Sequence, residues 1–184
     1  MTAIAQKSEN LSELIDSFHE FSKLEHPQFV LDKTRTELCE YLREYLAMKY
    51  DEIHLAGLEL EPEIPDERIY CQVDKVQFAR ALDNLVSNSL RHSGAGTTIK
   101  LVLYKEGASA HITVADNGAG IPLDAVSTIF EPFIKGDDAR SAHGSGLGLA
   151  IAKKTVVAHG GFIRLITPPQ KGFSTQFEIV LPTI

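Results

Sequence analysis

Tryptophan is absent from this 184-residue chain, and cysteine and methionine occur only twice each. Two cysteines cannot build a disulfide scaffold or a four-thiolate zinc site. Cys39 falls in an expected helix and Cys71 in an expected strand, with no metal-like spacing, so both read as reduced thiols in or near the core. The seven histidines form no HExxH pair, so no zinc is expected. No apolar run approaches the ~20 residues of a membrane span, and the start lacks a signal-peptide pattern. Positive charge is also short: 18 Lys and Arg against 25 Asp and Glu leave a formal charge of −7. That argues against broad nucleic-acid binding, which needs a basic surface, but not against small anions held by backbone amides.

What is there describes a folded chain. Hydrophobic residues make up 43% and charged residues 23%, and the length suits one ordinary domain plus an appendage. "SENLSELIDSFHEFSKLEHP" reads as a helix ending before Pro27, with Leu11, Leu14, Phe18 and Phe21 spaced three-four-three and Ile4 one heptad before Leu11. That stripe suits either a partner helix or packing on its own domain. "TRTELCEYLREYLAMKYDE" is expected as a second helix, "IHLAGLELEPEI" as a strand region and "RIYCQV" as a strand. Asp74 is a plausible N-cap for the helix "KVQFARALDNLVSNSLRHS". "TTIKLVLYKEG" and "SAHITVAD" suggest a hairpin, and "GFIRLITPP" with "GFSTQFEIVLP" a closing strand pair. The pattern predicts an α+β two-layer sandwich, with a mixed, mostly antiparallel sheet carrying helices on one face.

Four stretches carry polar chemistry. On the helix after Asp74, Phe78, Ala81, Leu82, Leu85 and Val86 share the core arc, while Asn84, Asn88 and Arg91 share a polar arc beside it. Such an arc is either a solvated face or the wall of a cleft for phosphates and a hard cation, which prefers oxygen ligands. "VADNGAGIP" ends a strand on Asp116 and turns through Gly118 and Gly120; the carboxylate either accepts hydrogen bonds from a ligand amine or simply makes an Asx turn. "IFEPFIKGDD" places Phe130 and Phe133 in a long irregular stretch, as anchors of a lid, with Lys135 directly after them. "HGSGLGLAI" puts Gly144, Gly146 and Gly148 before an apolar helix. It fits neither a dinucleotide fingerprint, since Leu149 stands where glycine is needed, nor a Walker loop, but amides at a helix start attract anions. Lys154, in phase with Leu147, Ile151 and Ala158 on that helix, has no obvious partner in the sequence, and Gly160-Gly161 reads as the helix C-cap.

"DNLVSNSLRHS", "DNGAGI", "FEPF" and "GSGLGLAI", in that order, resemble the N, G1, F and G2 boxes of the ATP-binding catalytic domain of bacterial sensor histidine kinases, a class shared with gyrase, Hsp90 and MutL ATPases. The resemblance implies the GHKL (Bergerat) sandwich over residues 27–184, an ATP lid at about 121–146, and residues 1–26 as the end of a dimerisation helix. It implies that Asp116 accepts the adenine amino group above Gly118 and Gly120, and that Asn88 ligates Mg²⁺ with Asn84 beside the phosphates. Arg91 and His92 stand where the family often has lysine and tyrosine, near phosphates or ribose. Lys135 would neutralise the transferred phosphate. Gly144, Ser145, Gly146, Leu147 and Gly148 would surround the phosphate chain, with Ile121 and Phe133 also against the nucleotide. Ser145 replaces the frequent threonine, and His143 a frequent glycine. The implied function is transfer of the ATP γ-phosphate to a histidine on a dimerisation domain that this chain does not contain; no H box is present, and His19 is not expected to be the acceptor. The implied partners are that domain, a response regulator and a second copy in the full-length protein, in the cytoplasm or anchored at its membrane. The alternatives within the fold are a nucleotide-binding module without transfer activity and an anti-sigma-factor-type serine kinase; a gyrase-like or MutL-like ATPase is disfavoured because no transducer domain follows Ile184.

Overall fold

Alternate residues of Thr98–Glu106 and Ser109–Asp116, among them Ile99, Leu101 and Leu103 and then Ala110, Ile112 and Val114, are apolar and share one face, which sets up the sheet. The computed structural model, which describes residues 3–134 and 145–184, runs α1 (Ala3–Glu25), β1 (Thr34–Glu37), α2 (Leu38–Leu55), β2 (Glu59–Glu63), β3 (Tyr70–Val73), α3 (Lys75–His92), β4 (Thr98–Glu106), β5 (Ser109–Asp116), α4 (Gly148–Ala158), β6 (Phe162–Leu165) and β7 (Thr175–Pro182). Five strands form the main sheet in the order β2-β4-β5-β7-β6. Only β2 and β4 pair in parallel; the other pairs are antiparallel, as expected for this mixed sheet.

One face of the sheet is apolar. Ile99, Leu101 and Leu103 on β4, Ile112 and Val114 on β5, and Phe177, Ile179 and Leu181 on β7 are buried there. They share one core with Phe78, Ala81, Leu82, Leu85 and Val86 of α3, all predicted to face it, and with residues of α2 and α4. Each such large side chain contributes about 1.5–3 kcal/mol on burial. Both cysteines are buried there as free thiols.

α3 and α4 lie antiparallel. At one end of the pair, His159 Nε2 accepts the Asp74 backbone N–H (3.0 Å) and Nδ1 donates to the Thr155 carbonyl (2.7 Å). Burial holds this imidazole below its usual pKa, and the neutral form suits an Nε2 acceptor. Asp74 caps α3 as predicted, accepting the Gln77 N–H at 3.1 Å. At the other end, Asn84 lies against the first residue of α4.

Two boundaries differ from expectation. Thr34–Glu37 is a strand paired with β3, not the start of a helix, so β3 belongs to a separate two-stranded sheet. The second helix begins at Leu38, where Glu37 caps it by accepting the Cys39 and Glu40 N–H groups, and it continues to Leu55 into the stretch expected as strand. Lys154 also finds its account: its ammonium pairs with Glu25 of α1 and lies 5.1 Å from the centre of the Phe21 ring. Gly160 has φ +85° directly after α4, and a Cβ on Gly161 would come within 2.1 Å of the Val180 carbonyl oxygen. The pair therefore closes the helix and lets the chain pass against β7, as a structural feature.

Candidate nucleotide-binding site

Asp116 is the last residue of β5, and the alternation that buries Ile112 and Val114 turns its side chain inward as well. The carboxylate is only 4% exposed. Its Oδ2 accepts the Ser89 hydroxyl at 2.8 Å and its Oδ1 accepts the Gly118 N–H at 3.1 Å. The Asx-type bond and the acceptor role are compatible, because each carboxylate oxygen accepts two hydrogen bonds and here each uses one within the protein. Around it the backbone is fixed: Ser174 N–H donates to the Asp116 carbonyl (2.8 Å), and Thr98 N–H to Asn117 Oδ1 (2.8 Å). A Cβ at Gly118 would fall 2.4 Å from Ser93 Oγ, so any larger residue there must displace that side chain. That serine hydroxyl is buried and has no hydrogen-bond partner among the described residues. Gly120 supplies φ +80° to complete the turn, and Ile121 then packs on the core edge.

The second half of the site is the start of α4. Leu147, fully buried, precedes the helix and offers no side-chain cap. Uncapped first-turn amides carry the positive end of the helix dipole and suit an anion. Ser145 Oγ accepts the Leu147 N–H (3.2 Å) and shapes the entry. A Cβ at Gly148 would sit 2.9 Å from Asn84 Oδ1, so glycine there lets the helix start meet α3. Gly146, with φ +70°, accepts the Phe133 N–H at 2.9 Å through its carbonyl, which ties Phe133 to the approach to α4.

α3 links the two halves. Ser89 reaches Asp116, Ser93 lies against Gly118 and Asn84 meets Gly148. The nine-residue step from Asn84 to Ser93 spans about 13 Å along the helix axis, enough to separate a base end from a phosphate end. Asn88 is half-buried between them, while Arg91 and His92 are exposed at the last turn. The aromatic anchors divide unequally. Phe130 packs edge-on to Phe177 at 6.1 Å, in the core, whereas Phe133 is 59% exposed with φ +65°. Lys135, His143 and Gly144 lie outside the described residues.

Three residues of this site escape a sequence reading. Ser89 carries the only available hint, a hydroxyl at the core phase of Leu82 and Leu85. Ser93 sits past the helix in a glycine-rich stretch that reads as a turn. Thr175, buried and directly opposite Asp116 in the β5–β7 register, becomes relevant only once β7 pairs with β5.

Comparison with known proteins agrees with this arrangement. Residues 73–183 match the family described as histidine kinase-, DNA gyrase B-, and HSP90-like ATPase. The chain is 33% identical over 169 residues to the alginate biosynthesis sensor protein KinB of Pseudomonas aeruginosa, covering 92% of this chain and 28% of KinB. It is 31% identical over 180 residues to the sensor histidine kinase YcbM of Bacillus subtilis, covering 97% of this chain and 57% of YcbM. Its structure resembles full-length ShkA in complex with AMPPNP, with TM-score 0.80 at 25% identity, over 98% of this chain and 37% of ShkA. The chain thus spans from under a third to a little over half of the curated relatives it matches. The matched region contains the buried strand-end carboxylate, the asparagine-bearing helix and the glycine-entered helix start; the chain belongs to the histidine kinase-, DNA gyrase B- and HSP90-like ATPase family and is similar there to the ATP-binding domain of sensor histidine kinases.

Proposed function

We propose that this domain binds Mg-ATP between α3, the turn after β5 and the start of α4, and delivers the γ-phosphate to a histidine on a dimerisation domain. The observation that carries the reading is the buried Asp116 carboxylate, whose remaining lone pairs are matched to an exocyclic amino group. Asp116 holds the base above Gly118 and Gly120, with Ile121 beside it. Gly146, Leu147 and Gly148 present the α4 amides to the phosphates, with Asn84 alongside and Ser145 shaping the approach. Arg91 and His92 would lie near the phosphates or ribose and Phe133 against the nucleotide, as the resemblance implies.

Among the described residues no group of three or more His, Cys, Asp or Glu could cage a metal. A single amide oxygen fits Mg²⁺ instead, since this ion keeps several waters and is commonly held by one or two protein oxygens plus phosphates. Asn88, half-buried one turn after Asn84 on α3, would supply it. Bound there, the ion would neutralise charge on the phosphates. The protein's own work is positioning and electrostatics, which is what phosphoryl transfer mostly requires.

Residues 1–26 serve as the end of a dimerisation helix and 27–184 as the catalytic domain, working in a homodimer that passes phosphate to a response regulator. No helix of the described residues is long and apolar enough to cross a membrane. The cytoplasmic location proposed for the domain follows from the histidine-kinase reading alone. The test supplies a histidine-bearing dimerisation domain in trans with labelled Mg-ATP. The expected result is acid-labile phosphate on that domain. Acid-stable phosphate would indicate a serine kinase, and ATP binding without transfer a purely nucleotide-binding module.

A further inference from the structure

Ser89 is an anomaly by its position. It lies seven residues after Leu82 and four after Leu85, in phase with the core stripe of α3, and is 1% exposed. Alanine would fill almost the same space and favours helix more. A hydroxyl at such a place costs free energy unless it is hydrogen-bonded. Its bond goes to Asp116 Oδ2 at 2.8 Å, across from α3 to the end of β5.

The second oxygen of that carboxylate is held by the Gly118 N–H at 3.1 Å. Two donors from two different elements therefore fix the carboxylate plane: one on a rigid helix, the other in the turn below. A hydroxyl-to-carboxylate bond is charge-assisted and among the stronger ones. Without it, the turn amide alone would hold the group, and the carboxylate could rotate about its Cβ–Cγ bond. Ser89 acts through Asp116 rather than on the nucleotide itself.

We propose that Ser89 is a positioning residue for the base subsite, orienting the Asp116 carboxylate so that its free lone pairs meet the exocyclic amino group of a 6-aminopurine. The proposal rests on the nucleotide-site reading given above, and it goes further by assigning the preference for the amino group to the serine–aspartate pair rather than to the aspartate alone.

The test is calorimetric titration of the parent chain, S89A, D116A and the double variant, each with ATP and with purine riboside triphosphate, which lacks the 6-amino group. S89A is expected to lose about tenfold in ATP affinity, the scale of a hydrogen bond to a charged group. Its affinity for purine riboside triphosphate is expected to stay within about twofold of the parent, because that ligand has no amino group to orient toward. The double variant should bind ATP no more weakly than D116A, since a positioning residue has nothing left to position. An S89A chain that binds ATP like the parent while D116A is weakened would overturn the proposal. An equal loss for both nucleotides would also overturn it, by showing a packing role. If D116A itself binds ATP like the parent, the base assignment fails first and the serine's role falls with it. Urea unfolding of S89A without nucleotide supplies the check on fold, with a single cooperative transition expected at a midpoint lowered by no more than the loss of one buried hydrogen bond.

Discussion

Asp116 carries most of the chemical argument, and its value depends on confinement. A strand-end carboxylate in water would exchange partners freely; here the inward phase of β5 removes it from solvent and two donors hold it. Asp116→Asn keeps the shape but swaps one acceptor oxygen for an amide that donates. ATP affinity is expected to fall at least about tenfold while the unfolding midpoint moves little, because a buried donor facing an amino group leaves both unpaired. Calorimetry with a parallel urea titration reads both quantities. The thiols make an opposite case. Burial pushes both Cys39 and Cys71 up to about 11, Cys39 with added help from the Glu37 carboxylate. Native chain at pH 8 is expected to react with an aromatic disulfide reagent only after unfolding, because the reactive thiolate is scarce and covered.

Residue types and spacing made much of this site legible beforehand. Asn84, Asn88 and Asp116 stood out as polar groups at phases set by helix and strand periods, and the glycines at 118, 120, 146 and 148 as departures from both. Ser89 and Thr175 were harder to see, because their meaning comes from contacts between distant segments: α3 against β5, and β7 against β5.

At the scale of elements, the boundary of α2 shows where local propensity loses. Thr34–Glu37 continues a helical-looking pattern, yet pairing with β3 takes those residues as strand. Glutamate is not a favoured N-cap, so nothing nearby marked the break, although Glu37 accepts from Cys39, Glu40 and Ile69 N–H groups. The turn after α4 was readable, since glycine pairs are frequent helix ends, but the reason for Gly161 was not. Its missing Cβ makes room for the Val180 carbonyl of the neighbouring strand. Gly161→Ala is expected to cost about 2 kcal/mol or more in urea unfolding, as an overpacked site whose clash is with backbone.

The outward face of the sheet holds a second buried carboxylate, Glu178, remote in character from the nucleotide site. Tyr104 donates to it at 3.0 Å, His111 Nδ1 lies at 3.0 Å, and Arg164 pairs with its other oxygen. Burial alone would raise this carboxyl, but the bonds from His111, Arg164 and Tyr104 outweigh it and hold the group below its usual range. A lowered folded-state pKa means that the unfolded chain binds the proton more readily. The stability this network supplies is therefore present above about pH 4.5 and is lost as the pH falls through the folded value. The expected observation is a urea midpoint that drops faster below pH 4.5 in the parent than in Glu178→Gln.

Across the whole molecule, two long-range ion pairs tie the first helix to the sandwich. α1 is tethered to the catalytic layer through Glu20 to Arg80 at 3.3 Å and Glu25 to Lys154, while Leu11, Ile15 and Phe18 stay largely exposed. In the proposed dimer that exposed stripe meets a partner helix. α3, α4 and β5 meet around one line of polar groups, with the Asp116 carboxylate toward one end and the α4 amides toward the other. The central claim is that a nucleotide lies along that line. Amide chemical-shift mapping with Mg-ATP tests it most directly. The account predicts shifts concentrated at residues 84–93, 116–121 and 145–150, with Tyr104 and Arg164 on the outer face unmoved. Shifts gathered on the outer face, with Gly118 and Gly148 silent, would contradict it.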